Sequence, residues 1–381
     1  MRPHLAWVAI RSFLTPVALL LGLLHAYIGM RLLLPFDLSV RLAGAALLTA
    51  CFWLLPKGWE SRKQGGRWAV LLPWITMGFF SWLLVLTVLR DATLLAAALA
   101  LPAALQHEWS RISAAAVMAL SPLITVCGYF MARRVARVVE VEVRVRGLPQ
   151  ALSGFTIAQI SDIHVGPTIK RDFVEAIVKR VNALGADMVA ITGDLVDGSV
   201  RELAAHTEPL GALTSRHGTY VVTGNHEYYS GVHGWVRELR RLGARVLLNE
   251  HVLLEHDGGT LVLAGVTDYS AHHFDASHRS DPQGAIAGAP GDAIKVLLAH
   301  QPRSAAAAAQ AGYHLQLSGH THGGQFWPWN HFVRLQQPFT AGLEKLGEMW
   351  LYISRGTGYW GPPMRFGIPS EITRIRLVAE A

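Results

Sequence analysis

Cysteine and charged residues are both scarce in this chain of 381 residues. Only two cysteines occur, Cys51 and Cys127, and both lie within long apolar runs. Because no cysteine follows residue 127, the larger C-terminal part has neither a disulfide framework nor a cysteine-based zinc site. Charged residues make up 16% of the chain and hydrophobic residues 51%. This composition excludes an intrinsically disordered protein.

The charges are unevenly distributed along the chain. Residues 1–140 hold 13 basic and 5 acidic residues, a net charge of +8, whereas residues 141–381 hold 21 and 22, a net charge of −1. The formal net charge of +7 therefore belongs to the N-terminal third. Because the remainder is close to neutral, the overall basicity does not predict a nucleic-acid partner.

The N-terminal third contains apolar runs that are long enough to cross a membrane. A helix needs about 20 mainly apolar residues to span a hydrocarbon core of about 30 Å. Three runs are long enough and contain no acidic residue: 13–34, 68–89 and 113–132. The run 38–55 is shorter than these three and predicts a fourth span. The run 93–105 contains Pro102, so we interpret it as a re-entrant or surface-lying segment, or as an extension of its neighbours.

Basic residues between the runs predict the orientation of the spans. The cytoplasmic side of a membrane protein carries more Lys and Arg in its short loops. With four spans, that side would carry nine basic residues against four, and the C-terminal region would be cytoplasmic; a fifth span would reverse this. The nine are Arg2, Arg11, Lys57, Arg62, Lys63, Arg67, Arg133, Arg134 and Arg137, and the four are Arg31, Arg41, Arg90 and Arg111. We expect a helical anchor over 1–137 and a second domain over 138–381.

The second domain has the pattern of an α/β fold. Residues 138–146 read V-V-E-V-E-V-R-V-R, an alternation that predicts an edge or half-buried strand. Apolar runs that alternate with helical stretches predict one layered α/β domain. The further predicted strands are 155–160, 188–192, 220–223, 261–266, 293–299 and 314–318. The predicted helices are 171–184, 202–213, 234–242 and 305–309.

Polar residues follow the predicted strands closely, at the end of a sheet where reactive groups collect. Imidazole, carboxylate and amide donors without thiols suit Mn, Fe, Zn or Mg. Seven candidate ligands are too many for one tetrahedral ion and enough for two ions that share a carboxylate: Asp162, His164, Asp194, Asn225, His300, His320 and His322. Two metals about 3.5 to 4 Å apart activate a shared water and bind a phosphoryl oxygen, which predicts hydrolysis of phosphate esters. His226 would protonate the leaving oxygen or stabilise charge in the transition state.

Five motifs occur in order within residues 162–322: D-x-H, G-D-x-x-D, G-N-H-E, a single His and G-H-x-H. Their order behind successive strands resembles the calcineurin-like metallophosphoesterase superfamily. The resemblance implies a layered αββα domain with mixed sheets. It implies one metal ion on Asp162, His164 and His322, a second on Asn225, His300 and His320, and Asp194 as the bridge between them. It also implies that His226 is catalytic and that Asp197 orients it.

Departures from other subfamilies narrow this expectation. Ser/Thr protein phosphatases of the superfamily have Gly and Arg where this chain has Val165 and Gly198, and purple acid phosphatases have a Tyr ligand that 195–198 lacks. The apolar spans, with G-N-H-E-Y-Y and G-H-T-H-G-G-Q, are similar to the bacterial transmembrane metallophosphoesterases of the YkuE and YaeI type. We therefore expect a multi-pass protein of a bacterial-type inner (plasma) membrane, with its catalytic domain in the cytoplasm.

The expected function is hydrolysis of a phosphodiester or pyrophosphate bond by a hydroxide that bridges two divalent metal ions. Some relatives cleave UDP-diacylglucosamine, so the resemblance implies a lipid-linked substrate as one candidate. A second interpretation is a non-catalytic membrane sensor or scaffold that binds nucleotide or lipid. A transporter is disfavoured because the spans lack acidic residues.

Residues outside the motifs have plainer interpretations. Arg355 and Arg365 would bind a phosphate or form salt bridges. Five aromatic residues would pack in the core, form a surface patch or face the bilayer: Phe326, Trp327, Trp329, Tyr359 and Trp360. The other histidines match no motif and are interpreted as solvated loop residues, among them His206, His217, His251, His256, His272, His273 and His278.

Overall fold

The computed structural model describes residues 3–60, 67–100 and 102–380. Its contacts divide the chain into two units. One comprises Met1–Phe130 with Gly361–Met364, and the other comprises Met131–Trp360 with Arg365–Ala381.

The N-terminal region is helical. Its helices are α1 (Pro3–Leu33), α2 (Leu38–Leu54), α3 (Lys57–Glu60), α4 (Arg67–Ala100) and α5 (Ala103–Ala132). Among the described residues, three helices are long and apolar enough to cross a membrane: Pro16–Leu33, Trp68–Ala100 and Leu105–Ala132. The three long predicted runs are thus confirmed as apolar helices. Helix α2 has 17 residues and begins where the Asp37 side chain accepts a hydrogen bond from the Val40 amide.

The run 93–105 forms no helix of its own. Its first residues extend α4 to Ala100, and the residues from Ala103 onwards begin α5. The structure therefore shows the run 93–105 as an extension of its neighbouring helices, which was one of the alternatives predicted from the sequence. Three of the basic residues used to predict orientation lie outside the described residues: Arg2, Arg62 and Lys63.

The second unit contains two mixed six-stranded sheets. The first sheet has the order β1 (Arg137–Val145), β12 (Glu371–Ala379), β2 (Thr156–Ile160), β3 (Met188–Ile191), β4 (Thr219–Val221) and β5 (Arg245–Val246). The second has the order β10 (Gly342–Leu346), β11 (Met349–Ile353), β9 (Leu315–Ser318), β8 (Ile294–Leu298), β7 (Gly259–Gly265) and β6 (Glu250–His256). Strands β2 to β5 are parallel, as are β7, β8, β9 and β11. Their carboxyl ends therefore meet at one edge of each sheet.

Helices cover the outer faces of this unit. They are α6 (Arg171–Asn182), α7 (Val200–Thr207), α8 (Asn225–Tyr229), α9 (Val232–Arg241), α10 (Pro282–Ala285) and α11 (Ala305–Gln310). One apolar cluster lies between the sheets and includes Phe155, Leu263 and Leu317. A second packs the first sheet against α6 and α9, and a third packs the second sheet against α10 and α11. These layers confirm the predicted fold class.

The predicted strands are observed, and the differences are local. The helix predicted over 202–213 ends at Thr207 and continues as a 3-10 turn, Glu208–Ala212, because Pro209 lacks the amide hydrogen that an α-helix requires. Strands β5, β6, β10, β11 and β12 were not predicted. Of these strands, β12 changes the topology of the first sheet most, because it lies between β1 and β2 and is antiparallel to β2.

Trp235 of α9 anchors the loop that carries Asp197. Its ring is fully buried, and its Nε1 donates a hydrogen bond of 2.9 Å to the Gly198 carbonyl. Trp235→Ala should lower the free energy of unfolding by about 3–5 kcal/mol, and Trp235→Phe by about 1 kcal/mol plus any cavity cost. Urea unfolding measures both, with the half-exposed Trp329→Ala as the control. Equal losses for Trp235→Ala and the control would contradict this role.

Candidate metal centre

The seven candidate ligands lie at the carboxyl ends of strands from both sheets. Asp162 and His164 follow β2, Asp194 follows β3 and Asn225 opens α8 after β4. His300 follows β8, and His320 and His322 follow β9. Below them, the buried Gln159 amide donates hydrogen bonds of 2.9 Å to Thr192 Oγ1 and to the Ser318 carbonyl. This side chain links the two sheets beneath the site.

The backbone at the site is held in an unusual conformation. Eight described non-glycine residues have positive φ, and five are candidate ligands: Asp162, His164, Asp194, His320 and His322, at 51° to 70°. Such a conformation costs about 1–3 kcal/mol per residue. Gly193 permits a close approach between loops, because a Cβ there would lie 2.6 Å from the Gly224 nitrogen and 2.7 Å from His300 Nδ1.

The first group of ligand atoms comes from Asp162, His164 and His322, all of which are buried. The Nε2 atoms of the two histidines are 3.1 Å apart. Asp162 Oδ1 lies 3.5 Å from His322 Nε2. These three atoms converge on a single point that suits a cation.

The second group comes from His300 and His320. His300 Nδ1 is 2.7 Å from the Thr192 carbonyl, which fixes the tautomer and directs Nε2 towards the site. That Nε2 lies 3.2 Å from His320 Nδ1 and 3.1 Å from Asp194 Oδ2. Both pairs of imidazole nitrogens are at hydrogen-bond distance, and a cation bound by the two nitrogens of a pair would account for the same spacing.

Asp194 lies between the two groups. Its Oδ1 accepts a 2.9 Å hydrogen bond from the His226 amide, so Oδ2 alone is directed inward. Oδ2 is 3.9 Å from His164 Nε2 and 3.1 Å from His300 Nε2. Burial raises the pKa of this carboxyl, but the surrounding histidines outweigh burial and hold the pKa well below its usual value. Asp194 is therefore an anion shared by both groups.

Asn225 supplies an independent test of whether metals fit. Its Oδ1 is buried and has no hydrogen-bond partner among the described residues, although a buried amide oxygen without a partner is costly. An amide oxygen is an acceptable ligand for a hard or borderline cation. The donor set and this unpaired oxygen both fit two divalent ions.

His226 and Asp197 form a pair beside the two groups. His226 Nδ1 is 2.5 Å from Asp197 Oδ1, and His226 Nε2 is 3.9 Å from Asp194 Oδ2. Burial lowers the pKa of His226, but Asp194 and Asp197 outweigh this and raise the pKa to about 9. The same Asp197 oxygen lies 3.3 Å from His164 Nδ1, so one carboxylate orients both imidazoles.

The site also depends on residues that were not among the predicted ligands or catalytic residues. Glu227 is buried and accepts hydrogen bonds from the amides of Asp194, Leu195, Val196 and Gly224. Its position three residues after Gly224, as in a capping box, was the available signal. Burial, reinforced by Asp194, raises the pKa of Glu227 to about 7. Glu227 thereby fixes the loop that carries Asp194.

Arg365 supports His322 and does not face a substrate. It is fully buried, and it donates hydrogen bonds to the carbonyls of His322, Arg355 and Gly358. Arg355 forms a 2.8 Å ion pair with the buried Glu371. Of the two roles predicted from the sequence, a phosphate contact or a salt bridge, Arg355 has the salt bridge. Arg365 has neither role, because its donors are used by backbone carbonyls.

The interpretation of the unmatched histidines as solvated loop residues is wrong for several of them: His206 lies on α7 and His251 on β6, and two others are largely covered. His256 is buried on β6, and its Nδ1 is 3.0 Å from His217 Nε2. His278 is largely buried, and its Nδ1 is 2.9 Å from the Tyr228 hydroxyl. Tertiary contacts that have no local sequence pattern cover both side chains.

Aromatic and polar residues surround the open side of the site. The Tyr229 and Trp360 rings lie edge-on to His226, with centroids 5.2 and 5.7 Å away. Phe326 and Tyr359 are buried, whereas Trp329 is partly exposed. A cavity of about 340 Å³ adjoins His320 and is lined by, among others, Tyr269, His272, His273, Gln301 and Arg303.

Comparison with known proteins identifies the family. The calcineurin-like phosphoesterase profile matches residues 155–324, which contain all seven candidate ligands. An Aquifex aeolicus protein, named an uncharacterized metallophosphoesterase, is 31% identical over 63% of this chain and 91% of its own length. The chain belongs to the calcineurin-like metallophosphoesterase family.

Two further comparisons place this metallophosphoesterase among known proteins. A Bos taurus protein, named a transmembrane protein with metallophosphoesterase domain, is 42% identical over 70% of this chain. The chain covers 62% of the bovine protein, which is less than two thirds. With the three apolar helices, this likeness marks the chain as a membrane protein. A dimetal phosphatase from Danio rerio matches with a TM-score of 0.36 and 12% identity, over 55% of this chain and 90% of that one.

The variant Asn225→Ala tests whether the Asn225 side chain is a metal ligand or only a structural residue. In the presence of a chelator, the variant should melt at or above the wild-type temperature, because the unpaired buried oxygen is removed. With added Mn²⁺, it should gain less stability than wild type, because it has lost a ligand. Differential scanning calorimetry under both conditions checks this expectation. An equal gain with Mn²⁺ in both proteins would contradict the assignment.

Proposed function

We propose that this protein is a membrane-tethered phosphohydrolase that cleaves a phosphodiester or pyrophosphate bond with two divalent metal ions. The observation that carries the proposal is the position of Asp194 Oδ2 between His164 and His300. One ion would be held by Asp162, His164 and His322, and the other by Asn225, His300 and His320. The ions would activate a water and bind the phosphoryl oxygens.

His226 is the proposed acid. Its Nδ1 is held by Asp197, which leaves Nε2 directed towards the Asp194 side of the site. In the metal-free site Asp194 and Asp197 raise the pKa of His226 to about 9, and the contact of Asp197 with Nδ1 favours the protonated imidazole. His226 Nε2 would then donate its proton to the oxygen that leaves phosphorus.

The cavity beside His320 supports the proposal that the substrate carries a further polar group, such as a second phosphate or a sugar, attached to the phosphate that is cleaved. Arg303 and two histidines offer donors to a further phosphate or a sugar. A diester or a pyrophosphate has such a group, whereas a simple monoester of a small alcohol does not. A lipid-linked pyrophosphate is one member of this class.

Hydrolysis by the purified full chain in detergent with Mn²⁺ tests the proposal. We expect bis-p-nitrophenyl phosphate and a UDP-sugar to be cleaved faster than p-nitrophenyl phosphate, with a diacylated UDP-sugar as a separate arm. His226→Ala should lower kcat by about 10²–10⁴-fold, and Asp194→Asn should abolish both turnover and tight metal binding. The exposed His331→Ala serves as the matched histidine control. Turnover that survives His226→Ala and Asp194→Asn together would contradict the proposal, and an absence of turnover in the metal-loaded wild type would favour the sensor or scaffold interpretation.

We also infer that residues 1–137 form a four-span anchor and 138–381 a cytoplasmic catalytic domain in a bacterial-type inner membrane. Helix α2 would be the fourth span, since 17 residues extend about 26 Å. No separate helix occupies 93–105 in the described part of the chain, which supports an even number of spans. The excess of basic residues supports the orientation.

Reporter fusions in a bacterial host test this orientation. Alkaline phosphatase fused after residue 36 should be active, because that loop would face the periplasm. Green fluorescent protein fused after residue 58 or residue 381 should fluoresce, because both positions would be cytoplasmic. An active alkaline phosphatase fused after residue 381 would indicate an odd number of spans.

A further inference from the structure

A second group of metal-binding side chains lies outside the dinuclear centre and shares no residue with its seven ligands. It consists of His233 on α9, with Asp275 and His278 in the segment between β7 and α10. His233 Nε2 is 3.3 Å from Asp275 Oδ2, and His278 Nε2 is 3.9 Å from the same oxygen. One ligand atom from each residue lies within 4.8 Å of the other two.

Two of these ligands are oriented by hydrogen bonds on their far side. Asp275 Oδ1 accepts from the Ser277 amide at 3.0 Å and from the Ser277 hydroxyl at 2.6 Å, so Oδ2 is left for the histidines. The Tyr228 hydroxyl is 2.9 Å from His278 Nδ1, so the Nε2 of that ring is left. Partners of this kind fix the orientation of ligands in protein metal sites.

The separations suit a small tetrahedral cation. Zinc bonds of about 2.0–2.2 Å to nitrogen and oxygen place neighbouring ligand atoms about 3.3 Å apart. The His233 to Asp275 distance has this value, and the His278 to Asp275 distance needs a shift of about half an ångström. Two histidines and a carboxylate, with a fourth position left for water, form a recurrent zinc ligand set.

We infer that His233, Asp275 and His278 bind a third divalent cation of the zinc class. The ion would tie the segment after β7 to helix α9. That segment also packs on α8, since the Phe274 ring lies 5.9 Å from the Tyr228 ring and 5.4 Å from the Tyr229 ring. Four of its residues, Tyr269, Ser270, His272 and His273, line the cavity beside His320. The ion would therefore position one wall of that cavity and would take no part in the chemical step.

Zinc counting on the full chain in detergent tests this inference without reference to hydrolysis. The chelator-stripped protein is dialysed against micromolar Zn²⁺, and the zinc bound per chain is measured by mass spectrometry of the metal. We expect wild type to bind one equivalent more than His233→Ala, Asp275→Asn or His278→Ala. His273→Ala, from the same segment and outside the group, should bind as much as wild type.

Equal zinc content in wild type and all three variants would overturn the inference and leave an ion pair between Asp275 and the histidines. His233→Ala is the decisive variant, because this side chain is 67% exposed and its loss leaves the fold intact. Melting in chelator verifies that each variant is folded. Asp194→Asn, which removes the bridge of the dinuclear centre, should still bind the third equivalent. Failure of the two-metal proposal would therefore leave this result unchanged.

Discussion

The structure of the site depends on the Asp194 carboxylate, which is buried where the loops of two sheets meet. One of its oxygens is occupied by the His226 amide, and the other faces histidines that follow strands of both sheets. An anion in this position is stable only if positive charge surrounds it. Protonated imidazoles can supply that charge, but the close imidazole pairs and the unpaired Asn225 oxygen are better satisfied by metal ions.

The rest of the domain keeps this arrangement rigid. Glu227 binds four backbone amides around the Asp194 loop, and Arg365 binds carbonyls around His322. Gln159 links the sheets directly below. Five candidate ligands adopt positive φ, so the packing of the two sheets must offset the conformational cost of holding them. Supporting contacts of this kind fix the orientation of the side chains, which favours tight metal binding.

The sequence predicts the candidate ligands but not the residues that support them. Each candidate ligand lies in a short motif directly after an apolar run, and the ends of parallel strands bring such motifs together wherever the sheet forms. The place of β12 between β1 and β2 depends on contacts across more than 200 residues, which no local pattern records. For the same reason, no local pattern predicts the buried position of Arg365 or the contact between Tyr228 and His278.

The central claim is that seven residues hold two ions with Asp194 between them. Diffraction from crystals of the Mn²⁺-loaded protein at the manganese absorption edge tests it most directly. The account predicts two anomalous peaks about 3.5–4 Å apart, with an Asp194 oxygen bound to both. A single peak, or two peaks that Asp194 does not contact, would contradict it.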